Sequence, residues 1–141
     1  MALPKTWRFL VHNKSGQTLD FAANSANEAA TATVQPWHVK SGKAEHGAEV
    51  SLAAATDLVN GGVEALTAQS DQEALGLHGV FLVKTDNAEA AGTVVLCIEW
   101  STDGGTTWPS AAANFAPDAD ALPVCVLALA GAQTRSKPFR V

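Results

Sequence analysis

A chain of 141 residues suits one domain and is long enough to bury roughly two-thirds of its unfolded surface, so its folding requires neither a metal nor a disulfide. Only 16% of its residues are charged, the net charge is −5, and the nine Lys and Arg are scattered from Lys5 to Arg140 without a run. That pattern excludes the clustered basic surface of a nucleic-acid binder, and the lack of any run near 18 strongly apolar residues excludes a membrane-spanning helix.

Hydrophobic content reaches 47%, but much of it is alanine in short clusters such as Ala53-Ala54-Ala55 and Ala111-Ala112-Ala113. Alanine favours helix, yet these clusters sit among Gly, Asn, Thr, Asp and Pro and lack the i, i+3, i+4, i+7 stripe that a packed helix needs. The alanines are therefore expected in loops. The opening residues, Met1 to Phe9, contain no continuous apolar core of signal-peptide type, which sets the expectation of synthesis and folding in a cytoplasm.

In chain order, Trp7 to His12 predicts a strand ending at the turn cluster Asn13 to Gly16, and Gln17 to Ala23 a returning strand that closes a first hairpin. Asn24 to Ala30 reads as a loop. Thr31 to Lys40 predicts a strand with Pro36 at an edge position or bulge, Ser41 to Gly47 a polar turn, and Glu49 to Ala55 another short strand. Asp57 to Gly62 is a turn, and Val63 to Ala68 a short strand or helical turn. Ser70 to Glu73 resembles an N-cap, predicting one helical turn through Leu75. Leu77 to Thr85 predicts a strand with Val80 and Leu82 on one face.

Thr93 to Trp100 is the most strongly marked strand of all. Val94, Leu96, Ile98 and Trp100 share one face, with Val95 and Cys97 on the other, so it is expected to lie centrally, beneath a second layer or a neighbouring subunit. It stops at Asp103-Gly104-Gly105, a hairpin signal, with a partner strand expected from Thr106 to Ser110. Ala111 to Leu122 is a long loop, Pro123 to Ala130 a core strand, Gly131 to Gln133 a turn, and Thr134 to Val141 a terminal strand broken by Pro138. Seven to nine strands at this spacing predict an all-β chain, residues 1–141 forming a single-domain antiparallel β-sandwich of jelly-roll or Ig-like type.

Candidate chemistry is sparse. The histidines His12, His38, His46 and His78 show no metal-ligand spacing, and no nucleophile elbow, P-loop or zinc-protease motif occurs. No catalytic residue, cofactor or metal is expected. Asp118 and Asp120, with Asp103, could in principle form an oxygen-rich calcium site, but a plain acidic loop is the expected reading. Cys97 and Cys125 are read as buried small hydrophobes, with a cross-strand disulfide disfavoured by its strict geometry. Trp37, Trp100 and Trp108, together with Trp7, could form a sugar-stacking platform, Trp37 and Trp108 foremost; against that, Trp100 and Trp108 could pack across the hairpin as a cross-strand pair.

Ser101, Asp103, Gly105, Thr107 and Trp108, with Gly104 between them, resemble the Asp box position for position. In the families that carry it, that motif is a folding element rather than a catalytic one. Sialidases carry Asp boxes on six-bladed propellers, which a single box in a chain of this length cannot build. Residues 76–141 also resemble small structural proteins of tailed bacteriophages, on three phrases: Gly76 to Gly79, Gly92 to Pro109, and Ser136 to Val141. The resemblance implies a non-enzymatic virion component present in many copies, made in the host cytoplasm and partnered by virion proteins and copies of itself. A capsid decoration or head-associated role comes first, then a tail or neck role. A carbohydrate-binding module using Trp37 and Trp108 is the alternative, and nucleic acid and membrane are not expected as partners.

Overall fold

The computed structural model of the protein describes residues 5–22, 27–70 and 74–141. Ten strands in this part of the chain form two antiparallel sheets that pack face to face. The first sheet places β1 (Thr6–Lys14) between β8 (Ala91–Ser101) on one side and β5 (Val63–Ala65) and β6 (Gln69–Ser70) on the other, with β9 (Leu122–Ala130) beyond β8. The second runs β10 (Gln133–Arg140), β7 (Gly76–Thr85), β2 (Ala29–Lys40), then β3 (Lys43–His46) and β4 (Val50–Ala53) side by side on the far edge of β2.

The period-2 alternation of the long strands accounts for the core. Trp7, Phe9 and Val11 of β1, Val94, Leu96 and Ile98 of β8, and Cys125, Leu127 and Leu129 of β9 point inward. They meet Ala30, Ala32 and Val34 of β2, Leu77, Phe81 and Val83 of β7, and Phe139 of β10. Val80 and Leu82 do share a face, but it is the outer one. Small alanines in β2 let the large rings come close, and Phe9 sits edge-on to both Trp7 and Phe139.

Several expectations need correction. Gln17 onward is not a returning strand, because both edges of β1 are already taken by β8 and by β5 and β6. Leu19 makes a single bridge to Leu58 instead, and Leu19 and Phe21 enter the core. Ala23 lies outside the described residues. Within the predicted turn 41–47, only Ser41 and Gly42, both with positive φ, reverse the chain, and Lys43–His46 pair with β2 as β3. Ser70 belongs to β6, and 71–73, where a helical turn was expected, lie outside the described residues.

Pro36 sits inside β2 at the gap between its two edge partners: β4 pairs up to Val34 and β3 begins at Trp37. A residue without an N–H is tolerated there because no ladder partner requires one. Pro138 does not break the terminal strand, because β10 is an edge strand and pairs through it.

Candidate functional site

After Ser101 the chain does not form a tight hairpin. The strand that returns along β8 is β9, which begins only at Leu122, and the residues expected to begin a partner strand, Thr106 to Ser110, run into a short 3-10 turn at Pro109–Ala111. The cause is the Asp103 carboxylate. Its Oδ1 accepts from the backbone N–H of Thr106 (3.1 Å) and Thr107 (2.9 Å) and from the Ser101 hydroxyl (2.6 Å). Thr107 Oγ1 donates to Oδ2. N–H groups spent on a side chain cannot join a ladder. Gly104 and Gly105 take φ of +75° and +98°, and Gly105 N–H donates to Ser101 Oγ at 2.8 Å. The hydrogen bond from Ser101, then those from Thr107, hold the Asp103 carboxyl far below the usual carboxylate range. Ser101, Asp103, Gly104, Gly105 and Thr107 thus form a self-contained knot.

Trp108 ends the knot, its indole N–H donating to the Gly105 carbonyl at 3.0 Å. Its ring does not meet Trp100, which is 43% exposed at the open end of the sandwich. It carries Arg8 instead, with the guanidinium carbon 4.1 Å from the ring centroid. Arg8 Nε donates to Glu99 at 2.6 Å, and Glu99 also accepts from the Ser110 hydroxyl (2.6 Å) and N–H (2.9 Å). The Glu99 side chain is fully buried. Its charge, near the end of an otherwise apolar strand, is the sequence signal that could have revealed this anchor.

The anchor holds the segment from Pro109 to Ala121 across the outer face of the first sheet. Phe115 and Ala121 cover Leu10, Val95 and Cys97 there, and the one-turn helix α1 (Pro117–Asp120) brings Asp118 to Lys14 (3.0 Å) and near His12 Nδ1 (3.7 Å). The second layer over β8 is therefore the chain's own loop, so the two-sided burial of this strand is no sign of a neighbouring subunit.

The acidic residues considered for calcium go to different partners. Asp103 serves the knot, Asp118 faces Lys14 and His12, and Asp120 accepts from the Ala116 N–H. Among the described residues no group of three or more His, Cys, Asp or Glu could hold a metal. Cys97 lies in the outer cluster and Cys125 in the inner one, on opposite faces of the same sheet, and both are free thiols. Burial pushes the Cys97 thiol up to about 11 and raises that of Cys125.

Trp37 and Trp108 do not form one platform. Trp37 pairs with His46 and Gly76 on the outer face of the second sheet, near His78, whereas Trp108 lies beyond the other sheet against Arg8.

One lateral edge of the sandwich remains. The two-residue link 131–132 carries the chain from one sheet to the other, so β9 and β10 lie together, with Cys125 Sγ 3.9 Å from the Lys137 carbonyl. Among the described residues no strand pairs with the outer edge of either. β9 is nine residues long and uncharged, with Leu122 50% and Val126 44% exposed, while β10 carries exposed Arg135, Lys137 and Arg140. Compared with family models, curated proteins and solved structures, the chain matches none of them.

Proposed function

We propose that this protein is a non-enzymatic structural component of a tailed-phage virion, a capsid decoration or head-associated protein, acting through protein–protein association. One observation carries the association: β9, a long uncharged strand with exposed Leu122 and Val126, stands at an open sheet edge. Natural β-proteins blunt such edges with charge, proline or covering loops, because an open ladder recruits another strand. Pro123 and the register shift between Leu96 and Cys97, which leaves Val124 without a partner, disturb only its first residues, leaving Cys125 to Ala130 as a template. The virion assignment is supported by the likeness of residues 76–141 to phage structural proteins. A tail or neck position would use the same edge.

Mass spectrometry of purified particles tests this reading. The protein is expected as a stoichiometric, multi-copy component, and its absence from particles of the phage that encodes it would refute the proposal.

A further inference from the structure

We infer that the partner of the β9–β10 edge is a second copy of this chain, docked head to tail, so that this edge of one molecule seats on the opposite edge of the next. The inference rests on the reading above that the protein acts by association, and it names the partner and the geometry. The two lateral edges carry opposite charge. Residues 122–141, which build β9 and β10, contain Arg135, Lys137 and Arg140 and no acid, a side-chain charge of +3. Residues 41–70, which build β3 to β6, contain Lys43 against Glu45, Glu49, Asp57 and Glu64, a charge of −3.

Only the sheet order makes these opposite edges. β9 and β10 end the two sheets on one side, while β5 and β6 end the first and β3 and β4 the second on the other. Glu64 of β5 accepts from the N–H groups of Ala55 and Thr56 just beyond β4, which ties the acidic edge together across the two layers. Arg135, Lys137 and Arg140 of β10 are exposed; Arg135 donates to Gln133 at 2.9 Å, and among the described residues none of the three is ion-paired with an acid of its own chain.

Strand direction agrees with charge. β9 runs antiparallel to β8, and β8 and β5 both run antiparallel to β1. In a copy set beside the first in the same orientation, β9 therefore meets β5 antiparallel. By the same count β10 meets β3 antiparallel. Both sheets can continue from copy to copy. A two-fold contact through β9 would instead bring the Arg135, Lys137 and Arg140 rows of the two molecules together, and like charges at a contact oppose it. A heterologous contact closes into a ring or extends as a filament.

Sedimentation velocity on the full chain tests this, with Arg135→Glu/Lys137→Glu as one variant and Glu45→Lys/Glu49→Lys as the other. The wild type is expected to grow with concentration and to shrink as salt rises from about 0.1 M to about 1 M, where the screening length falls from roughly 10 Å to 3 Å. Each variant alone should associate about tenfold more weakly or worse. Mixing the two should restore growth, because every seam then joins opposite charges. Circular dichroism checks that each variant is folded; if one is not, the other carries the comparison with wild type. A wild type that stays monomeric, variants that associate like wild type, or folded variants whose mixture fails to recover would each overturn the inference. Particles that contain the protein while the variants associate normally would leave the virion reading intact and remove this one. Charge-dependent association of a protein missing from particles would do the opposite.

Discussion

Glu99 offers the sharpest test of how the outer face of the first sheet is covered. Its fully buried carboxylate takes one hydrogen bond from Arg8, whose side chain is 19% exposed, and two from Ser110. Hydrogen bonds to a charged partner contribute roughly 1.5–3 kcal/mol each but are not additive, and breaking a buried ion pair costs about 3–5 kcal/mol. Arg8 and Ser110 can each recover some water once the partner is gone, which places Glu99→Ala near the lower bound, about 3 kcal/mol. Glu99→Gln keeps the shape and one acceptor, and should lose about 2 kcal/mol. For a domain of this size that corresponds to a fall in Tm of roughly 4 °C per kcal/mol, or about 12 °C for the alanine variant. Urea unfolding followed by tryptophan fluorescence measures the loss. The double variant Arg8→Met/Glu99→Met should be less destabilised than the sum of the two single changes, because it leaves no orphaned charge. A loss below about 1 kcal/mol for Glu99→Ala would refute the claim that this carboxylate anchors the covering loop.

The knot should respond through its backbone. Gly105→Ala is expected to cost about 1–3 kcal/mol, because a Cβ there meets only Thr6 and Trp108 at ordinary distances and the strain lies in φ, and the β-branched Gly105→Val no less; equal melting temperatures for wild type and Gly105→Val would contradict this. Burial holds the His12 pKa below its ordinary value, against the partial opposing pull of Asp118. The unfolded chain therefore takes up a proton that the fold resists, and the His12 contribution is present above about pH 6.5 and lost as pH falls through its folded pKa. Urea midpoints measured across that range should decline, and His12→Gln should flatten the decline. Neither cysteine should react with a thiol reagent near pH 8 in the native state, both should react after unfolding, and one, Cys97, should become reactive in Glu99→Ala. Rapid labelling of native wild-type protein would contradict the burial of both thiols.

What the sequence determined by itself is the fold class and the long strands. An apolar, β-branched run such as Thr93 to Trp100 has no other stable use, and the alanine clusters lacked the stripe that would have made them helices. The knot at Ser101 to Trp108 was legible as a chain reversal from Asp103 and its two glycines. Its outcome was not, because a hairpin signal leaves open whether the following N–H groups go to a strand or to the Asp103 side chain. β3 escaped notice because all four of its residues are exposed and show no alternation. The segment from Gln17 reads as a strand because Leu19 and Phe21 alternate as a strand would, whereas they serve as core plugs. Tertiary structure alone decided three things: which loop covers β8, that Trp37 and Trp108 lie beyond different sheets, and that residues 41–70 and 122–141 become opposite edges. The physical reason is common to all three. Strand order, and hence which distant residues share a face or an edge, is set by the packing of whole sheets, whereas local pattern specifies only the alternation within each strand.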